Sequence, residues 1–207
     1  MDQLQEAGYF QTKIYAVKKP EFLEAVKGVS DRYLVDARKA MGEGQHMTVM
    51  TGTYAHEPEL ADFAAYVSQT AWNILSAQGY GVDKLVTYFT EMWTQEHNTV
   101  SDMPYHVHNM GAQISAFYFL DVPPGGCQVM IHDPRPTKMM INLPAANDKV
   151  VSDASPHIVF TPEVGTIVFT NAWLPHSFSK NMSMEPTRFV HMNLGVMVAH
   201  EHDVEVV

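Results

Sequence analysis

The chain has a single cysteine, Cys127, in 207 residues. No disulfide can form within it, and a reducing, cytoplasmic setting is expected. Positive charge is scarce as well: 13 lysines and arginines stand against 23 aspartates and glutamates, for a formal net charge of -10. That balance opposes general nucleic-acid binding, which needs a phosphate-neutralising surface. Apolar runs stay short of membrane-spanning length, so no transmembrane helix and no membrane partner are expected. The opening Met1-Asp2-Gln3-Leu4-Gln5-Glu6 lacks the basic-then-apolar pattern of a secretory leader. What remains is ordinary for a soluble protein with one core, at 46% hydrophobic and 17% charged residues. The 14 methionines sit mostly in apolar segments, where they read as adaptable packing.

One domain is expected over residues 1–207, because no repeat, low-complexity tract or linker divides the chain. Residues 1–84 read as a strand and helices that support the rest. The strand covers residues 9–17, one helix runs from about residue 21 to 40, and a second lies between Pro58 and Gly79. That second helix carries Leu60, Phe63, Ala64, Val67, Ala71, Ile74 and Leu75 at helical spacing. From residue 85 the period shortens to that of strands, expected at 85–95, 105–109, 113–120, 128–132, 157–161, 166–170 and 187–198. The fold class is therefore mainly β with N-terminal helices (α+β), a sandwich or barrel sharing one core with its helices. Residues 135–155 read as a loop beside the site, and 199–207 as a tail.

Histidine is the residue type present in unusual number, with 11 copies. In His106-Val107-His108 two imidazoles are two residues apart, which in a strand puts both on one face, able to grip one metal ion. His176, at the end of Trp173-Leu174-Pro175-His176, supplies a third donor. Arg188 opens the next strand and offers a fixed cation for an anionic co-substrate. His200 and His202 repeat the ligand-like spacing but have no third partner, and read as a solvated tail. His46, His56, His97 and His157 read as surface or helix-end histidines. Trp93 and Gln95 share a strand face that could wall the site. His191 and Asn193 share a face opposite Arg188 unless a bulge intervenes.

The order His106-x-His108, the aromatic strand Phe117-Tyr118-Phe119-Leu120, Asp133-Pro134-Arg135, His176, and Arg188 through Asn193 resembles the iron(II)/2-oxoglutarate-dependent dioxygenase superfamily. More narrowly, it is similar to a subfamily of 2OG-Fe(II) oxygenases with a prolyl-hydroxylase-like core. The likeness covers residues 85–198 and implies a double-stranded β-helix, also called a jelly roll. It also implies iron(II) and 2-oxoglutarate, dioxygen, and hydroxylation of a small-molecule or peptidyl substrate with release of succinate and CO2. A homodimer is admitted as an assembly state. The family holds iron through two histidines and one carboxylate, so His108 stands where Asp or Glu is usual. Three ligand sets stay open: His106, His108 and His176 together; Asp133 as the carboxylate, with His108 turned to other work; or no catalytic iron. Arg188 is expected to pair with the distal carboxylate of 2-oxoglutarate. Either Tyr118 or Phe119, which face opposite sides of their strand, and Asn193 are expected to line its pocket. Two other functions fit the same residues: a three-histidine cupin-like metalloenzyme without 2-oxoglutarate, and a non-catalytic jelly-roll binding protein.

Overall fold

The computed structural model describes residues 5–8, 10–44, 46–141 and 143–199. His200 and His202 lie outside the described residues, as does Tyr9 of the expected first strand. In chain order the elements are β1 (Ile14–Lys18), α1 (Leu23–Met41), β2 (Thr48–Met50), α2 (Ala61–Ala77), β3 (Leu85–His97), β4 (Met103–His106), β5 (Ile114–Asp121), β6 (Val129–His132), β7 (His157–Phe160), β8 (Thr166–Asn171), β9 (His176–Phe178) and β10 (Thr187–Val198). Among the described residues, no helix is long and apolar enough to cross a membrane.

Both helices form where the apolar stripes run. Val26, Val29 and Leu34 are buried in α1, and Phe63, Val67, Ala71, Ile74 and Leu75 in α2. Spacings of three and four residues lay one helix face on a sheet. Pro20 begins a short 3-10 turn before α1, where its missing N–H goes unneeded. Gly42 closes α1 at φ 82°, a left-handed backbone in which a side chain would be strained.

The strands form a six-stranded sheet in the order β1-β8-β5-β10-β3-β2 and a four-stranded sheet in the order β4-β9-β6-β7. Neighbours pair antiparallel throughout. The expected jelly roll is present as two open sheets packed face to face, not as a closed barrel, with α1 and α2 on the outer side of the large one.

Strand alternation sorts the interior into two apolar layers instead of a single shared core. Toward the helices, β5 and β10 send Ala116, Tyr118 and Leu120, and Val190, Met192 and Leu194. Toward the small sheet they send Phe117, Phe119 and Phe189, which meet Val129, Ile131 and Phe178. Each fully buried side chain of this size contributes about 1.5–3 kcal/mol. The same parity decides which polar side chains can reach the space between the sheets.

Candidate metal centre

β4 and β9 pair with His106 directly opposite His176. The strand ends there, so His108 lies beyond it, two residues into the following loop. Its backbone N–H donates to the Ala172 carbonyl at 2.9 Å, tying this loop to the connection between β8 and β9. The loop then turns through Met110 and Gly111, both at positive φ. The ring of His108 thus comes back to the other two by a loop tether, not by strand alternation.

One nitrogen from each of His106, His108 and His176 lies within 4.8 Å of the others, and these three form the candidate metal-holding group among the described residues. Nε2 of His108 and Nε2 of His176 are 3.2 Å apart. Two cis ligands each about 2.1 Å from one metal would stand about 3.0 Å apart. Two of the rings are also oriented for this. His176 Nδ1 donates to the Leu174 carbonyl at 3.0 Å, and His106 Nδ1 to the Pro104 carbonyl at 2.8 Å. A carbonyl can only accept, so Nδ1 carries the hydrogen and Nε2 keeps its lone pair for a metal. Burial drives the pKa of His108 down to about 4 and that of His176 to about 3, with neighbouring imidazoles adding to the effect. Both are neutral, the form that binds metal.

Asp133 is not part of the cluster. Its carboxylate accepts from Arg135 Nε and Nη2 at 2.9 and 2.7 Å and from Lys138 Nζ at 2.8 Å, and these hydrogen bonds hold it well below the usual carboxylate range. The pair with Arg135 is a turn clamp.

Arg188 is also set apart from the histidines. It lies five residues before Asn193, an odd separation, so the two project to opposite faces of β10. Its guanidinium donates to Glu96 at 2.6 Å and stands 3.5 and 3.7 Å from Asp31 and Asp121, on the side covered by the helices. The register shift between Arg188 and Phe189 against β5 does not bring it round. Tyr118 shares that side: it packs on Phe63 of α2 and donates its hydroxyl to the Lys19 carbonyl at 2.7 Å. Phe119 faces the small sheet within the Phe178–Phe189 cluster. Asn193 faces the same way and is spanned by Ser115, which donates to it, and Glu91, to which it donates.

Three side chains near the triad carried no assigned role in the sequence or only a weak one. Phe117 packs edge-on against His176 at 5.1 Å. His191 approaches His108 edge-on at 4.6 Å, and Trp93 stacks on His191 at 4.3 Å. Their signal was parity: His191 pairs with Trp93 on β3 and with Phe117 on β5, so all three point the same way. His97, expected at the surface, is fully buried between Phe178 and Phe189. Its strand position alternates with Trp93 and Gln95 toward the small sheet, and that packing removes it from water.

Two open antiparallel sheets with three convergent imidazoles define a jelly-roll fold that carries a candidate metal centre. Residues 91–193 match the family described as "Putative 2OG-Fe(II) oxygenase", a span that contains the whole triad. The chain belongs to the 2OG-Fe(II) oxygenase superfamily. Its fold is shared with EvdO2 from Micromonospora carbonacea var. aurantiaca, at 13% identity and a TM-score of 0.61 over 92% of this chain and 89% of that one. A Pseudomonas putida prolyl-4-hydroxylase is similar at 11% identity and a TM-score of 0.59, over 88% and 92% of the two chains. HygX from Streptomyces hygroscopicus, whose structure holds nickel and 2-oxoglutarate, is similar at 11% identity and a TM-score of 0.58, over 89% and 83%. No curated protein matches the sequence. Iron(II) and 2-oxoglutarate are the cofactor and co-substrate of this superfamily, and the donor set of the triad fits the iron.

Proposed function

We propose that this chain is an iron(II)- and 2-oxoglutarate-dependent dioxygenase that hydroxylates a small-molecule or peptidyl substrate and releases succinate and CO2. The supporting observation is the convergence of His106, His108 and His176 in a chain of this superfamily. These three would hold iron(II) on one face, and the open positions would supply oxidative decarboxylation of 2-oxoglutarate coupled to C–H oxidation. His176, fully buried, fixes the inner side of the site, and Phe117 walls it from water. Tyr105, Val107, Met110 and Trp173, in the segments that carry the ligands, are exposed apolar side chains. Such a rim suits an uncharged portion of a substrate.

The test is succinate formation by iron-loaded protein across a metabolite and peptide panel. Activity should vanish with His176→Ala. Iron-loaded protein that neither turns over nor binds 2-oxoglutarate would sink the proposal. A second reading, a three-histidine metalloenzyme that works without 2-oxoglutarate, draws support from the placement of Arg188 on the helix side.

A further inference from the structure

Given the proposed dioxygenase, on which this inference rests, the distal carboxylate of the co-substrate needs a partner between the sheets. The sheet positions beside the triad carry no lysine or arginine. One row holds His191, Trp93, Phe117 and Val168; the rows on either side hold Phe189, Gln95 and Phe119, and Asn193, Glu91, Ser115 and Thr170. These rows do contain unused hydrogen-bonding capacity. Trp93 Nε1, Gln95 Oε1, Thr170 Oγ1 and both ring nitrogens of His191 are buried without a partner. His191 is only 1% exposed, and its ring sits 4.6 Å from that of His108. Natural interiors pair nearly all such atoms, and an unpaired set beside a metal-ligand cluster calls for a ligand.

We infer that neutral donors, His191 and Trp93, hold the distal carboxylate, and that His108 in the usual carboxylate position removes the need for a cation there. The charges balance. Iron(II) held by two imidazoles and one carboxylate carries one net positive charge, so the oxo acid dianion leaves an excess negative charge that an arginine neutralises. Iron(II) held by three neutral imidazoles carries two positive charges, and the dianion cancels them. Net charge is what a buried site penalises most. The carboxylate missing from the metal and the arginine missing from the pocket are therefore one compensated change. Trp93, half-buried and stacked on His191, is the side chain that yields as the carboxylate enters.

The test is anaerobic calorimetry and visible absorption of the iron(II)-loaded protein titrated with 2-oxoglutarate and with 2-oxobutyrate, which chelates alike but lacks the distal carboxylate. His191→Leu should weaken 2-oxoglutarate binding by about tenfold to a hundredfold and leave 2-oxobutyrate unchanged. His191→Gln, which keeps a donor, should recover most of the loss. His108→Asp should retain iron yet weaken 2-oxoglutarate more than 2-oxobutyrate. Circular dichroism and iron content verify that each variant is folded and loaded, and the conservative Trp93→Phe gives an independent removal of the second donor. Equal effects on both acids in His191→Leu, or no effect in either His191→Leu or Trp93→Phe, would overturn the inference while the oxygenase reading stands. Wild-type protein that chelates neither acid would overturn both.

Discussion

The two faces of the large sheet differ in how far they satisfy their buried polar groups. Toward the helices, buried hydroxyls are matched: Thr94 donates to Ser30 at 2.7 Å, Tyr54 and Thr94 share a bond of 2.6 Å, and Tyr118 donates to the Lys19 carbonyl. Among the described residues Asp121 Oδ2 is the exception there, and it stands 3.7 Å from Arg188. Toward the small sheet, Trp93, Gln95, His97, Thr170 and His191 all keep a buried polar atom without a partner. A face that only stabilises is closed by its own hydrogen bonds. A face that binds something retains atoms for the ligand to satisfy.

The largest effect expected to sharpen this contrast is on the inner face. His176→Ala should weaken iron binding by more than about a hundredfold, read by metal content after desalting, with little change in fold. Retained iron would show that the triad is not the site. On the helix face, Arg188→Gln strips buried Glu96 of one of its two cations and leaves only Arg38, half-exposed at 42% of its side chain. Denaturant unfolding should register a loss of about 2–3 kcal/mol, with 2-oxoglutarate affinity unaltered. A loss of that affinity in folded protein would erase the distinction between the faces. Neighbours on β10 give a finer comparison. Met192→Ala should cost about 2–3 kcal/mol, whereas His191→Leu should change stability by less than about 1 kcal/mol or raise it, because it removes two unpaired nitrogens.

The smallest effect is on pH dependence. Burial lowers His97 and His108 to about 4 and His176 to about 3. Unfolded histidines titrate near about 6.5. The unfolded chain therefore binds more protons below that value, so these groups make the metal-free fold lose stability as pH falls from about 6.5 toward 4. Thermal midpoints of metal-free protein at pH 7 and pH 5 should show the decline. His97→Gln should flatten it.

Much of this arrangement was legible because it repeats a period. The stripe of α2 and the bounds of β10 follow from spacing, and His106, His108 and His176 were identified by residue type and order. The short strands were not legible: β2 and β9 have three residues each, and His176, Ser177 and Phe178 are all buried, so no alternation marks them. Strand alternation does not place His108, because a tether to Ala172, far along the chain, sets its position. Arg188 shows a different limit. Its chemistry suits a carboxylate, but its face depends on the register of β10, which places Asn193 and His191 inward and the arginine outward. His97 is buried by Phe178 and Phe189, partners that only the folded chain brings together.

A crystal structure of the anaerobic manganese(II) and 2-oxoglutarate complex tests the division between the faces most directly. The prediction is a metal at about 2.1 Å from Nε2 of His106, His108 and His176, with the distal carboxylate against His191 and Trp93. Asp133 should still be clamped by Arg135 and Lys138. Metal bound by Asp133, or the oxo acid lying against Arg188 on the helix side, would contradict it.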